Sequence, residues 1–337
     1  MTASSGISLL AQSIAQSKRL TNLGGTLDDL QRQITTKKKY DTYAGFGTTA
    51  YKLQTVRLKT TKIETYIDNT TEVGKNMEQT TSIMSQISNM GNKFKSALIL
   101  RENNAQSTQS LALTAKDYLE FIQDLLNQVG NDGTYLLAGT NTSDAPFIDG
   151  VGLNRNFSDE VDNWFNGVTT TDQLMADVTG FGTAELGLDP DLDTATHRTA
   201  SVSDTTNIEY TLTANSSGIK DLIKSLTLVA NMRYTDATAV PTQEEMVRIF
   251  DYAADLTVGA IRDINTETSK LAAKYSLVQT VATRHKDDLA LFKSQIDDIE
   301  NADTAEALIK MNLLETQISA AYKITSTVSG LSLVDYI

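Results

Sequence analysis

The stretch that decides the fold is TQEEMVRIFDYAADLTVGAIRDINTETSKLAAKYSLVQTVATRHKDDLALFKSQIDDIE, residues 242–300. Its apolar or small side chains fall at Met246, Phe250, Ala253, Thr257, Ala260, Ile264, Leu271, Tyr275, Val278, Ala282, His285, Leu289, Phe292, Ile296 and Ile299. The steps are three and four, with one lapse around Glu267 and Thr268, which predicts one buried stripe along a single helix. Thr242 and Glu245 have the spacing of a capping box just after Pro241, and Gly259 alone interrupts the helix formers. At ~1.5 Å per residue such a helix is roughly 85 Å long. That length outruns a globular core, so the chain must hold other long helices to lie along it.

A partner of matching length lies at residues 48–100. Its stripe runs through Leu53, Val56, Thr60, Ile63, Ile67, Thr70, Val73, Met77, Thr80, Met84, Ile87, Gly91, Phe94 and Leu98, with a slip of phase near Val73. Asn103-Asn104 permits a turn, and a shorter helix follows with Leu111, Tyr118, Ile122, Leu125 and Val129. Residues 7–34 form an N-terminal arm striped by Leu20, Leu23, Leu27, Leu30 and Ile34. Gly24 and Gly25 weaken that helix by ~1 kcal/mol each relative to Ala. The basic run Lys37-Lys38-Lys39, with Gly45 and Gly47, marks a break. Beyond residue 300, Asn301-Ala302 is a second break, and Asp303 and Glu306 are placed to cap a last helix. There Ala307, Leu314, Ala321 and Val328 stand seven apart, beside Met311, Ile318 and Thr325. Each arm presents a stripe with no closed core of its own. Both are therefore expected to be largely disordered in a free monomer and to order by packing, the C-terminal stripe meeting Leu20 to Ile34 and adjacent molecules.

Between these helices the chain changes character at Gly130, and all three prolines (Pro146, Pro190 and Pro241) fall between there and residue 242. Asn131-Asp132-Gly133 reads as a turn, Thr134–Ala138 as a short strand and Ile208–Thr213 as a half-buried strand; residues 150–203 show turn chemistry without a helical stripe. Helical spacing returns at Ile219, Leu222, Leu226 and Val229. The predicted fold is mainly α: a long antiparallel helical coiled coil or bundle formed by both termini, with a small β-rich inserted domain. The expected divisions are an N-terminal assembly arm (1–42), the N-terminal half of the rod (43–147), a surface insertion (148–216), the C-terminal half of the rod (217–302) and a C-terminal assembly arm (303–337).

Composition narrows the function. The 337 residues include no Cys, so disulfides and thiol chemistry are excluded. A net charge of −13 argues against nucleic acid and anionic membranes as partners. No apolar run approaches the ~18 residues of a membrane span, which removes a membrane receptor or helical pore. Residues 1–18 lack the basic-then-apolar layout of a secretory signal. His285 occupies a stripe position and His197 a polar loop without metal-ligand neighbours. Asp189, Asp191 and Asp193 alternate as in a calcium loop, but Thr194 stands where Gly is required and Ala200 where the final Glu belongs. Trp164 and Phe165 read as filling the insertion's small core. Asn69, Asn141, Asn156 and Asn215 fit glycosylation triplets that chance supplies in a chain rich in Ser and Thr. No catalytic constellation emerges, so the expectation is a non-enzyme with no cofactor and no metal.

Residues 27–38, LDDLQRQITTKK, resemble the L-x-x-L-Q-x-Q-I-S/T-T-G-K stretch of the flagellin superfamily, with Lys37 in place of the usual Gly and Asp41-Thr42-Tyr43-Ala44 where P-S-D-D is common. Residues 299–306, IENADTAE, resemble its I-E-D-A-D-x-A-E link. The resemblance covers about 1–147 and 217–337. Gly133–Phe147 and the ending Gly330–Ile337 are similar to the hook–filament junction branch rather than to filament flagellin, which is the alternative. The resemblance implies a self-assembling structural protein of the bacterial flagellum, extracellular and exported without a cleaved signal peptide. Its implied partners are copies of itself, flagellin, a neighbouring hook-associated protein and an export chaperone, with no nucleic acid and no membrane. The implied self-assembly interface is Leu20, Leu23, Leu27, Leu30, Ile34, Ala307, Leu314, Ile318, Ala321 and Val328.

Overall fold

The computed structural model describes residues 3–235 and 241–334, with side chains described for residue 11, residues 14–235 and residues 241–327. Among the described residues the chain is mainly helical. Its helices are α1 (Ala3–Thr36), α2 (Ala50–Ile99), α3 (Ala105–Leu126), α4 (Gly150–Phe165), α5 (Thr171–Gly180), α6 (Ser217–Ala230), α7 (Gln243–Glu300) and α8 (Thr304–Val334). The sheet among the described residues has two antiparallel strands, β1 (Thr199–Ser201) and β2 (Asn207–Glu209). Contacts divide the chain into two units, one of residues 1–64 and 287–337 and one of residues 65–286.

In the second unit α2 and α7 run antiparallel. Ser88 Oγ donates to Asn265 Oδ1 at 2.8 Å, Gly91 lies against Ile261, and Arg101 pairs with Asp251 at 2.8 Å. The sequence stripes are the faces that meet, with Val73, Met77, Met84, Ile87, Phe94 and Leu98 buried opposite Phe250, Ala253, Ala260, Ile264, Leu271 and Val278. Sequence reading missed Ile249 and Ile261, which widen the α7 stripe on its flank. The capping box forms: Glu245 accepts the Thr242 amide at 2.8 Å, and Thr242 Oγ1 accepts the Glu245 amide at 3.3 Å. α6 approaches α7 at Gly218, where an added Cβ would stand 2.9 Å from the Ala260 carbonyl oxygen. Ser225 Oγ bridges the same pair of helices, donating to Ala253 O at 2.6 Å.

The expectation that residues 150–203 lack a helical stripe is corrected by α4 and α5. On α4, Leu153, Phe157, Val161 and Trp164 are buried in steps of four, four and three, and Leu174 and Val178 do the same on α5. Short spans between Gly and Asn hid the period. The reading of Trp164 and Phe165 as an insertion's separate core is also corrected. Trp164, 2% exposed, belongs to one continuous core with Leu222, Leu226, Met246 and Phe250, and Phe165 packs against that core. Arg248–Asp172 at 2.5 Å and Arg233–Asp162 at 2.6 Å add outer ion pairs. Thr134–Ala138 is not a strand; it makes isolated bridges, Tyr135 to Val129 and Ala138 to Thr213. Each pairs with a loop or helix end, so no ladder can propagate. The strand predicted over Ile208–Thr213 is confined to β2, although Tyr210 and Leu212 are buried beyond it.

His285 is buried, with Nε2 at 2.7 Å from Val202 O and its ring stacked on Tyr66. It holds the β1–β2 turn against the long helices. Asp189 caps a short 3-10 turn through the Asp191 amide, and Asp193 accepts from Thr183 and Asn215, so the alternating aspartates serve local turns. The four sequon asparagines each donate inward: Asn69 to Ser201 O, Asn141 to Asp189, Asn156 to Glu185 O and Asn215 to Leu192 O.

Because the insertion shares the core, replacing residues 150–203 by a Gly/Ser link should leave Leu222, Met246 and Phe250 uncovered and unfold the second unit at markedly lower temperature. Phe157→Ala alone should cost about 3–5 kcal/mol, read from urea unfolding followed by Trp164 fluorescence. A second outcome concerns acid. Hydrogen bonds from the Thr242 amide and hydroxyl hold the Glu245 carboxyl below its ordinary range, and those from Thr183 and Asn215 do the same for Asp193. Both contributions are present above the ordinary carboxylate values and are lost as pH falls through the lower folded values. Thr242→Ala should remove about 1 kcal/mol at neutral pH and weaken the acid dependence of the melting temperature.

Candidate self-assembly interface

The candidate site is the pair of terminal arms in the first unit. α1 ends at Thr36 and α8 begins at Thr304, and the connections beside them are zipped together. Lys39 N donates to Glu300 O at 2.7 Å, Ala302 N donates to Lys37 O at 2.9 Å, and Lys38 and Asn301 form an antiparallel bridge. With their ends tied, α1 and α8 lie antiparallel. Leu30, Ala307 and Leu314 are buried together, and Leu23, Leu27, Ile34, Met311 and Ile318 pack around them. The reading that each arm lacks any core of its own is therefore corrected: the two stripes cover one another within a single chain. Leu20 and Ala321 are half-buried but stand outside that cluster. The side chain of Val328 and those of the ending Gly330–Ile337 lie outside the described residues.

α8 departs from the amphipathic helix its heptads suggest. Leu308, Ile309, Leu313, Tyr322 and Ile324 are exposed on its other faces, Ile309 at 68%, so apolar side chains point all round it. Such a helix is normally buried on every side. Beside the arm pair, a groove is lined by Thr26, Leu30 and Gln33 of α1 and by Glu306, Lys310, Leu313 and Gln317 of α8.

Sequence reasoning missed the group at the base of the arms. Glu300, the last residue of α7, is 6% exposed. Its carboxylate takes a hydrogen bond from Arg57 of α2 and lies 3.7 Å from Lys38 Nζ. Arg57 also donates to the Tyr43 hydroxyl at 2.9 Å and sits over that ring. Lys39 Nζ donates to Asp298 O at 2.8 Å and satisfies a carbonyl at the end of α7. Asp41 and Asp29 hold the Arg32 guanidinium at 3.0 and 2.8 Å, tying α1 to the connection that follows it. A signal was available. A carboxylate at a helix C-terminus opposes the helix dipole, so Glu300 directly after Ile299 requires cations nearby.

The basic run thus has its account: Lys38 and Lys39 serve the end of α7, and Lys37 makes the turn. Lys37 has φ 60, the left-handed conformation that ends a helix and favours Gly. This is the position where the resemblance has its usual Gly. Lys37→Gly should therefore stabilise the end of α1 by up to about 1 kcal/mol. Slower amide exchange at residues 33–39 would show it, and unchanged or faster exchange would contradict it.

Residues 255–337 match the family described as the bacterial flagellin C-terminal helical region. No curated protein matches the sequence. Among solved structures, a flagellar hook-associated protein from Vibrio parahaemolyticus has 10% identity and a TM-score of 0.51, the alignment covering 75% of this chain and 97% of that one. FlgL of Bacillus cereus has 11% identity and a TM-score of 0.48 over 72% of this chain and 97% of its own. The family match takes in most of α7 and all of α8, so the C-terminal part of this chain is similar to the bacterial flagellin C-terminal helical region.

Proposed function

We propose that this protein is a structural subunit of the bacterial flagellum that self-assembles through its arms at the junction between hook and filament. The observation that carries the reading is the uncovered apolar surface of α8, from Leu308 and Ile309 to Tyr322 and Ile324, which one chain leaves in water. Copies packed side by side would cover it. Charge supports the same division of labour. The first unit holds 13 basic and 13 acidic residues, so the whole net charge of −13 resides in the second unit. Neutral arms can crowd together, while a charged body favours solvent. Among the described residues no helix is long and apolar enough to cross a membrane.

The junction reading over filament flagellin rests on the resemblance of Gly133–Phe147 and of the ending, and is consistent with the Vibrio parahaemolyticus protein being a hook-associated one. Its partners are then copies of itself, flagellin, a neighbouring hook-associated protein and an export chaperone. Its place is outside the cell, reached without a cleaved signal peptide. The reading assigns no catalysis. Labelled antibody on intact flagella tests it directly: a band at the distal end of the hook supports the junction, and label along the whole filament overturns it in favour of flagellin.

Ala321→Asp tests the interface. It puts a carboxylate into the half-buried α8 surface, at several kcal/mol for each subunit if water is excluded on assembly. The variant should be exported and should melt normally by Trp164 fluorescence, yet fail to join hook to filament, so that flagellin is shed into the medium. Intact filaments in that variant would move the assembly surface elsewhere.

A further inference from the structure

We propose that Glu300 is a clasp that locks a hinge at the base of the arms. The two non-helical connections, residues 37–42 and 301–303, lie side by side, and together they link the arm pair to α2 and α7 within the first unit. Two short connections at one level, with a left-handed residue at Lys37, are the geometry about which a packed pair of helices turns as one piece. The arms carry their own cluster, centred on Leu30, Ala307 and Leu314, which includes no part of the connections. Turning would therefore leave it intact.

One buried carboxylate opposes that motion. Glu300 reaches Arg57 on α2 and Lys38 in the first connection, and Arg57 carries the contact on to Tyr43 at the start of the 3-10 turn Tyr43–Thr49. A single side chain thus joins α7, α2 and both sides of the first connection. Charged pairs with one member buried are sensitive to loss of a partner, because the survivor is left without its counter-charge. The remaining restraints are exposed: the hydrogen bond from Lys39 Nζ to Asp298 O, the Arg32–Asp41 pair, and a short ladder of backbone hydrogen bonds from Lys39 and Ala302.

The test is Glu300→Gln in the full-length protein, read by amide hydrogen exchange. Trp164 is the chain's one tryptophan and lies in the second unit, so its fluorescence reports separately that the fold is retained. Exchange at Lys39 and Ala302 should accelerate at least tenfold, with residues 23–34 and 307–318 keeping their protection. Arg57→Gln should open the same amides. Lys293→Gln, which removes an exposed pair with Glu64 in the same unit, should not. Unchanged exchange at the connections would overturn the clasp, since the other contacts there would then hold the base without Glu300. Equal loss of protection along α1 and α8 would overturn the hinge, since Glu300 would then be supporting the arms themselves.

Discussion

Everything in this protein depends on covering the stripe of α7. A helix of 58 residues with one apolar face needs a partner of nearly equal length, and α2 with 50 residues is the element that meets the need. In the second unit their faces close on large side chains, with Phe94, Met77 and Met84 fully buried. In the first the seam between them is lighter: Lys293 pairs with Glu64 at 3.1 Å and Lys59 lies over Phe292. Apolar burial stabilises by about 25 cal/mol per Å², so the greater share of stability resides where the large side chains are. The first unit relies more on ion pairs and on the tie between its two breaks.

That tie explains why both ends of the sequence act as one element. Antiparallel pairing of α2 with α7 brings residues 37–39 beside residues 300–302, though more than 250 positions separate them in the chain. Once the breaks are zipped, α1 and α8 have little choice but to run back along one another. Their shared cluster is small, and α8 keeps apolar side chains on the far side. A helix in that state is incomplete by itself. Its unsatisfied surface sits in the unit without net charge, which is where like molecules can approach without repulsion.

In the second unit the segment between the two halves of the rod shares its core with them. α4 and α5 bring Phe157, Trp164 and Val178 onto the core that α6 and α7 begin. Trp164 Nε1 donates to Thr171 Oγ1 at 3.1 Å, and that hydroxyl lies 3.4 Å from Glu245 Oε1. The insertion thereby reaches the cap that starts α7. Burial of Lys224, whose Nζ donates to Thr179 O at the end of α5, lowers its pKa and marks how closely the layers meet.

By itself the sequence determined the long helices, their stripes, both breaks and the cap at Thr242, because period and capping are local properties written in residues three and four apart. Of the arm stripes it marked, Leu30, Ala307 and Leu314 meet in the arm cluster, whereas Leu20 and Ala321 stand outside it. Only the tertiary structure decided the rest. Helices α4 and α5 are short enough that their period cannot be told from turn chemistry until their partners are known. The role of Glu300 was hidden for a related reason. A carboxylate looks solvated in a sequence, and it becomes a buried anchor when folding brings Arg57 and Lys38 to it from the opposite end of the chain.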